Sequence, residues 1–503
     1  GQAREHRSGH RAGSGVGVGG LLHPEAIPDP RREDAALPGR HVQRFQPCEP
    51  ARVDDERVFA GFRRADKLRS GARYTVGVEI QLLERGNKVT TPEIRRRDFL
   101  ALLGVSAAPR RKAVILRSGW QLVNIGDVAH GPGMLGVLTR NLPDVEIIYW
   151  PAHMDEGVEK MTRSGFPGLR IVRTQGEVAQ AFRDASLFIH GSAPSVTSPA
   201  QVREWKDKTG KPYGFFGITV SLSGEAASPS LSPETRELLS GANFVYTRDT
   251  FSLANLKKAG IQGPEMGFTP DGTFGFHLLD EAAGLRFLEE NGLQPKRFIA
   301  IVPRLRYTPY HKTRKVTWSE EEIKRREAVN EKHAEADHAK LRVVAEAWIR
   351  KTGGKVLFCP EMTYQLEIID PLLFDPLPAA VKKNVVRRKT FWRPDEAASV
   401  YKRAAAVISC ECHSPIIAAT QHTPCMYLHQ PEDGVKGQMW RDLGLNEWYF
   451  PIEETRGEAV AERVLAIHAD YPAAERKIRA ALERAHKRHA ETMAHVRRIL
   501  ESS

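Results

Sequence analysis

The stretch Ser409–Leu428, SCECHSPIIAATQHTPCMYL, gathers three of the chain's five cysteines and two histidines. Thiolates and imidazoles ligate zinc, and a thiol beside an imidazole is an activated nucleophile. A zinc site here would draw on Cys410, Cys412, His413, His422 and Cys425. Their spacing, C-x-C-H-x8-H-x2-C, departs from the paired C-x2-C knuckle. A nucleophile would be Cys412 activated by His413. The third reading is a substrate-binding turn that carries His413, with cysteines that are only small buried residues.

The surrounding pattern favours the third. AAVIS (405–409) reads as a buried strand. Ser414 is an N-cap candidate, Pro415 takes the first helical position, and Pro424 precedes the next strand. Residues 410–413 then turn from the C-terminal end of a strand into a helix N-terminus. In open α/β sheets ligands bind at that edge, and the free N–H groups there favour an anion.

From Ala113 onward, apolar runs of strand length alternate with helical stretches. AVILR (113–117), VEIIYW (145–150), LRIVR (169–173), SLFIH (186–190), YGFFGI (213–218), NFVYT (243–247) and EMGF (265–268) form a first series. FIAIVP (298–303), KVLFC (355–359), VVRR (385–388), AAVIS and CMYLH (425–429) form a second. SPAQVREWKDKTG and SPETRELLSGA open with a Ser N-cap and Pro, and Ser319 with Glu322 makes a capping box before a long charged helix. This alternation defines an α/β chain with two Rossmann-like, doubly wound domains, 113–290 and 291–472. A basic amphipathic helix, 473–503, follows and is expected to pack back across a domain.

Residues 1–88 mix Gly, Pro, Arg and His without a sustained period and read as a disordered extension, with translation expected to begin near Val89. In 89–112, Arg96, Arg97, Asp98, Phe99 and Leu100 match a twin-arginine export pattern, R-R-x-F-L. Export to the periplasm is therefore expected, with the cytoplasm as the alternative. No run reaches the length of a membrane span. A net charge of +12 points to anionic ligands. The basic residues lack interleaved aromatics, which argues against nucleic acid. Five cysteines in 503 residues, an odd and sparse set, argue against a disulfide framework.

Several motifs, in order over residues 113–450, resemble the polysaccharide pyruvyl transferase family. NIGDVAHGPGML carries Asn124, Gly126 and Asp127 of an N-x-G-D turn. YTRDTFSLANLKKAGI carries Arg248, Asp249 and Ser252, and TPDGTFGF carries Asp271. The opening stretch resembles S-x-R-x-H-x-x-I-x-A, followed by Lys436 in EDGVKGQMWRDLGL. The resemblance implies a GT-B-like arrangement of the two domains. It implies transfer of a pyruvyl group from phosphoenolpyruvate to two hydroxyls of a cell-surface polysaccharide, as a cyclic ketal, with no metal or organic cofactor.

Such chemistry needs an acid, a base and fixed cations. His413 is the candidate acid or phosphate contact, and Asp127 the group that orients or deprotonates the acceptor. Arg248 would hold the anion. Arg304, Arg306 and Lys312, in IVPRLRYTPYHK, would line the cleft with Asn124, Ser414 and Lys436. The expected partners are phosphoenolpyruvate and a saccharide; a homo-oligomer is compatible with this reading.

Two departures stand out. Glu411 occupies the position two before the histidine, where the family pattern carries arginine, and His190, Gly191 and Ser192 stand where a glycine pair is usual. Reversing a charge beside an anionic donor is worth about 4 kcal/mol per unit-charge pair at 4 Å and an effective dielectric near 20. Either another arginine replaces it or the donor differs. Phosphoenolpyruvate is also a cytoplasmic metabolite, in tension with export. The alternatives are a GT-B-like glycosyltransferase using a nucleotide sugar, with Glu411 on a hydroxyl, and a non-catalytic exported saccharide-binding protein.

Overall fold

The structure, a computed structural model, describes residues 111–222, 231–313 and 316–502. The extension and the twin-arginine pattern lie outside the described residues. Strands β1 (Ala113–Ser118), β2 (Glu146–Pro151), β3 (Arg170–Ile171), β4 (Leu187–His190), β5 (Tyr213–Ile218), β6 (Phe244–Thr247) and β7 (Glu265–Phe268) form one parallel sheet in the order 3-2-1-4-5-6-7. Strands β8 (Phe298–Val302), β9 (Lys355–Phe358), β10 (Val385–Arg387), β11 (Ala406–Ser409), β12 (Cys425–His429) and β13 (Tyr449–Pro451) form a second in the order 10-9-8-11-12-13. Each order reverses once, between β1 and β4 and between β8 and β11. Those reversals open crevices at the carboxyl ends of the strands.

The central strands are apolar on both faces because helices cover both. Val114, Ile115 and Leu116 of β1, and Ile299, Ala300 and Ile301 of β8, are all fully buried. The helix Ile125–Asn141 after β1 is buried along nearly its whole length. Its glycines allow this. A Cβ on Gly133 would lie 2.6 Å from the Gly272 carbonyl oxygen, and one on Gly136 2.3 Å from that of Gly275. The short turn Gly272–Gly275 can therefore lie directly against the helix.

The halves meet along this helix. Ile125 N–H donates to the Glu361 carbonyl (2.9 Å), and Thr363 N–H to that of Val123 (3.0 Å). The C-terminal helix Tyr471–Ser502 returns to the first half, as the sequence led us to expect. Arg488 donates to the Phe268 carbonyl (3.0 Å), His489 Nε2 lies 3.0 Å from that of Pro270, and the Tyr246 hydroxyl meets His495 Nδ1 at 2.7 Å. Its buried stripe includes Ile478, Leu482, Val496 and Leu500, worth about 1.5–3 kcal/mol per side chain.

Local signals were read less well than strands. Ser232 caps its helix through Thr235 N–H (3.2 Å). Ser198 occupies the N-cap position, but its hydroxyl accepts from Arg117 Nε (3.2 Å) instead. Only half of the Ser319–Glu322 box forms, because the Glu322 carboxylate turns to Arg325 and Arg326. The helix after β11 begins at His413 with Cys412 at its N-cap, so Ser414 and Pro415 lie inside its first turn. Strand β13 is the element the sequence reading lacked.

Candidate active site

The turns after β1, β6, β7, β8, β9, β11 and β12 converge where the halves meet. His413 is the hub. Its Nδ1 lies 3.4 Å from Glu361 Oε1 and 3.4 Å from Cys412 Sγ, and its Nε2 lies 4.0 Å from Asp271 Oδ2. Gly126 leaves room for the ring: a Cβ there would stand 2.3 Å from His413 Cγ. Glycine in the N-x-G-D turn is thus a steric requirement of the histidine opposite. Burial alone would depress the imidazole, but Cys412 and the Glu361 carboxylate outweigh it and hold His413 well above its usual range.

Glu361 follows β9 by three residues and is fully buried. Its Oε2 accepts from Ser414 N–H (2.6 Å), so it satisfies a free donor in the first turn of the His413 helix. Its Oε1 faces His413 Nδ1 across the 3.4 Å ion pair.

Asp271, after β7, is the hub of the first half. Its Oδ2 receives Arg248 Nη1 at 2.8 Å, and its Oδ1 faces His130 Nδ1 at 3.3 Å and accepts from Thr273 N–H at 2.9 Å. Burial works against the charged carboxylate, but His130, Arg248 and His413 hold it well below the usual carboxylate range. Arg248, 1 % exposed, also donates to Thr219 Oγ1 (2.5 Å). Asp249 instead caps the next helix through Ser252 N–H (2.6 Å). The His130 and His413 rings meet edge to face, 4.8 Å between centroids.

Glu411 faces the second half. Its Oε1 accepts from Gln365 Nε2 (2.9 Å) and lies 3.3 Å from Arg304 Nε. Arg304 is nearer to Asp433, at 2.6 Å, and also holds Gln430 at 3.1 Å. Asp433 is held below its usual range by Arg304 and Lys436 despite burial. Burial therefore prevails at Glu411, with Arg304 opposing it only in part, and pushes its carboxyl up to about 8. Lys436 Nζ lies 3.3 Å from Asp433 Oδ1.

Asp127 opens the first helix, 8 % exposed, and its Oδ2 accepts from Gln121. Four other residues expected in the site have different work here. Asn124 Oδ1 accepts from Gly126 N–H (2.6 Å) and Asp127 N–H (3.3 Å) as the helix cap. Arg306 turns away to Asp337 (2.5 and 3.0 Å), Glu432 (3.2 Å) and Glu453 (3.0 Å). Two residues beyond Arg304, it points to the long helix Glu320–Thr352 rather than the cleft. Lys312 is exposed on the short helix Tyr310–Thr313, outside the buried cluster. Ser414 contributes its backbone N–H, while its hydroxyl accepts from Tyr401 (3.3 Å).

The five-residue zinc set is dispersed. His413 and His422 flank opposite ends of one eight-residue helix, about 12 Å apart by its rise. Cys425 pairs in register with Val407, which places Cys410 three residues, about 10 Å, further along the sheet. His190 ends β4 and is structural: it stacks on Trp120 (4.7 Å between centroids), and its Nε2 accepts from Thr197 N–H (3.1 Å). Reading the sequence missed His130 and Glu361.

Two facing parallel-sheet halves with a polar cluster at their carboxyl edges define a GT-B-like fold. Residues 124–428, more than half of the chain, match the family model of the polysaccharide pyruvyl transferases, and the chain belongs to that family. Transferases and related sugar-modifying enzymes are its functional class, and a saccharide acceptor is consistent with it. A putative UDP-N-acetylglucosamine 2-epimerase from Listeria monocytogenes has the same fold, with TM-score 0.50 and 12% identity over 78% of this chain and 98% of that one. MnaA of S. aureus, in a co-structure with UDP, is similar with TM-score 0.45 and 11% identity over 74% and 94%. The E. coli ADP-heptose lps heptosyltransferase II gives TM-score 0.41 and 11% identity over 72% and 99%. No curated protein matches the chain. No helix among the described residues is long and apolar enough to cross a membrane.

Proposed function

We propose that this chain transfers a pyruvyl group from phosphoenolpyruvate to two hydroxyls of a saccharide. The observation that carries the reading is His413, held between Glu361 and Asp271 beside Arg248, where the two halves meet. A protonated His413 gives its proton to the methylene carbon of the donor, which becomes a methyl group. The adjacent carbon gains oxocarbenium character and is attacked by one hydroxyl, and then by the second as phosphate leaves. One hydroxyl proton replaces the proton lost by His413, and the other departs with phosphate. In this reading Asp127 accepts a hydroxyl proton.

A second reading, glycosyl transfer from a nucleotide sugar, draws on Glu411. The cations nearest to it already hold carboxylates, and a carboxyl that accepts from Gln365 can also bond a sugar or ribose hydroxyl. One experiment separates the two. The full chain is melted with phosphoenolpyruvate or a nucleotide sugar, and phosphate release is followed with a polysaccharide acceptor. Stabilisation by phosphoenolpyruvate of about 2.7 kcal/mol at a hundred times its dissociation constant, with acceptor-dependent phosphate release, supports pyruvyl transfer. Stabilisation by the nucleotide sugar alone transfers the assignment to the second reading. Stabilisation by oligosaccharide alone points to a binding protein.

A further inference from the structure

We propose that His130, Asp271 and His413 form a binding site for a divalent first-row cation such as zinc. One ligand atom from each residue lies within 4.8 Å of those of the other two, and all three residues are buried. They come from three elements and both halves: the first helix, the turn after β7 and the turn after β11. Two imidazoles and a carboxylate, with a position left for water or a substrate oxygen, are the donor set of catalytic rather than structural zinc. Two bonds of about 2.1 Å at the tetrahedral angle set ligand atoms about 3.4 Å apart. The His130 Nδ1–Asp271 Oδ1 separation of 3.3 Å matches that spacing, and the His413 Nε2–Asp271 Oδ2 separation of 4.0 Å, to the other oxygen, must close by about 0.6 Å on binding.

Two further observations bear on the site. Among the described residues, buried His130 Nε2 has no hydrogen-bond partner, and Nδ1 is the ring nitrogen turned to Asp271. Glu361 Oε1 stands 3.4 Å behind His413, on the nitrogen opposite the one that faces Asp271. A carboxylate behind a ligating imidazole fixes its tautomer and raises its basicity. Arg248 engages Asp271 Oδ2, and Oδ1 keeps a second lone pair beyond the one that Thr273 N–H uses. The arrangement contains no thiol.

A ring nitrogen that holds a cation has no lone pair for a proton. Loading the site therefore takes from His413 the proton used in the proposed transfer, and the cation switches transfer off. This last step rests on the pyruvyl transfer reading; the binding site does not.

The test uses the full chain stripped with chelator, titrated with cobalt by visible absorption and with zinc by calorimetry. The expected result is one equivalent bound, with cobalt d–d bands of low coordination number and no thiolate charge-transfer band. Affinity should fall at least tenfold in His130→Ala and stay unchanged in His422→Ala, with the fold of each checked by circular dichroism. Absence of stoichiometric binding by the unmodified chain overturns the proposal without recourse to any variant. So does a thiolate band that disappears in Cys412→Ser, or equal affinity in a folded His130→Ala. If cobalt binds as expected while transfer is never seen or is indifferent to zinc, the site stands and the reading of His413 as proton donor fails.

Discussion

Glu361 Oε1 stands 3.4 Å from His413 Nδ1, and the two residues follow strands β9 and β11, on either side of β8 in one sheet. The pair is thus set by sheet order rather than by nearness in sequence. One carboxylate both orients the imidazole and fills the first-turn donor of its helix.

Glu361→Gln keeps the shape and removes the charge. His413 then loses a group that holds its proton, and its folded value falls. The alkaline limb of a pH–rate profile, where the acid is lost, should move to lower pH, and turnover should drop about tenfold to a hundredfold. A profile that keeps its alkaline limb in place would assign that limb to another group.

Gly126→Ala tests the steric argument. In an ordinary helix this change stabilises by up to about 1 kcal/mol. Here the added Cβ would stand 2.3 to 2.5 Å from His413 ring and Cβ atoms. The ring must shift, so turnover should fall by at least tenfold while the melting temperature changes little. Equal turnover would show that the ring position is not critical.

Arg248→Met leaves Asp271 buried without its guanidinium. Breaking one side of a buried pair costs about 3–5 kcal/mol. Chemical denaturation should show a loss of that order, and Arg248→Met combined with Asp271→Asn should lose less than the sum of the single changes. Simple additivity would mean that the pair is not coupled.

Glu411 carries a stability signature that depends on pH. Its folded value of about 8 lies above the unfolded value near 4.3. The folded chain therefore keeps the proton longer, and stability present at low pH is lost progressively between about pH 4 and pH 8, then levels off. Glu411→Gln has no such slope. The stability of Glu411→Gln minus that of the unmodified chain should grow across this window by on the order of 5 kcal/mol. A flat difference would show that Glu411 titrates normally.

The alternation of buried β runs and helices was open to sequence reading because parallel sheets covered on both faces make continuous apolar strands. AVILR, FIAIVP and CMYLH each fell within a residue of the observed strand. Arg248 was legible because it follows such a strand directly, and His413 because it stands where β11 turns into the next helix. Glu361 was missed although it follows KVLF by three residues, because nothing local marks a carboxylate whose partner arrives from another turn. His130 sits inside a helix among small residues, where a histidine carries no period of its own. Arg304 and Arg306 looked alike in RLR, and an extended chain would put both on one face; the bend at Arg306 and Tyr307 sends one to Asp433 and the other to Asp337.

The return of the C-terminal helix has a consequence for how this molecule can be divided. The backbone passes between the halves twice, once after β7 and again where Tyr471–Ser502 reaches the carbonyls of Phe268 and Pro270. The first half is thus contiguous in space but not in sequence. A fragment ending near residue 290 would leave those carbonyls uncovered. A single backbone cut between β7 and β8 would leave the pieces held together, so any opening of the cleft in the intact chain turns on two connections rather than one.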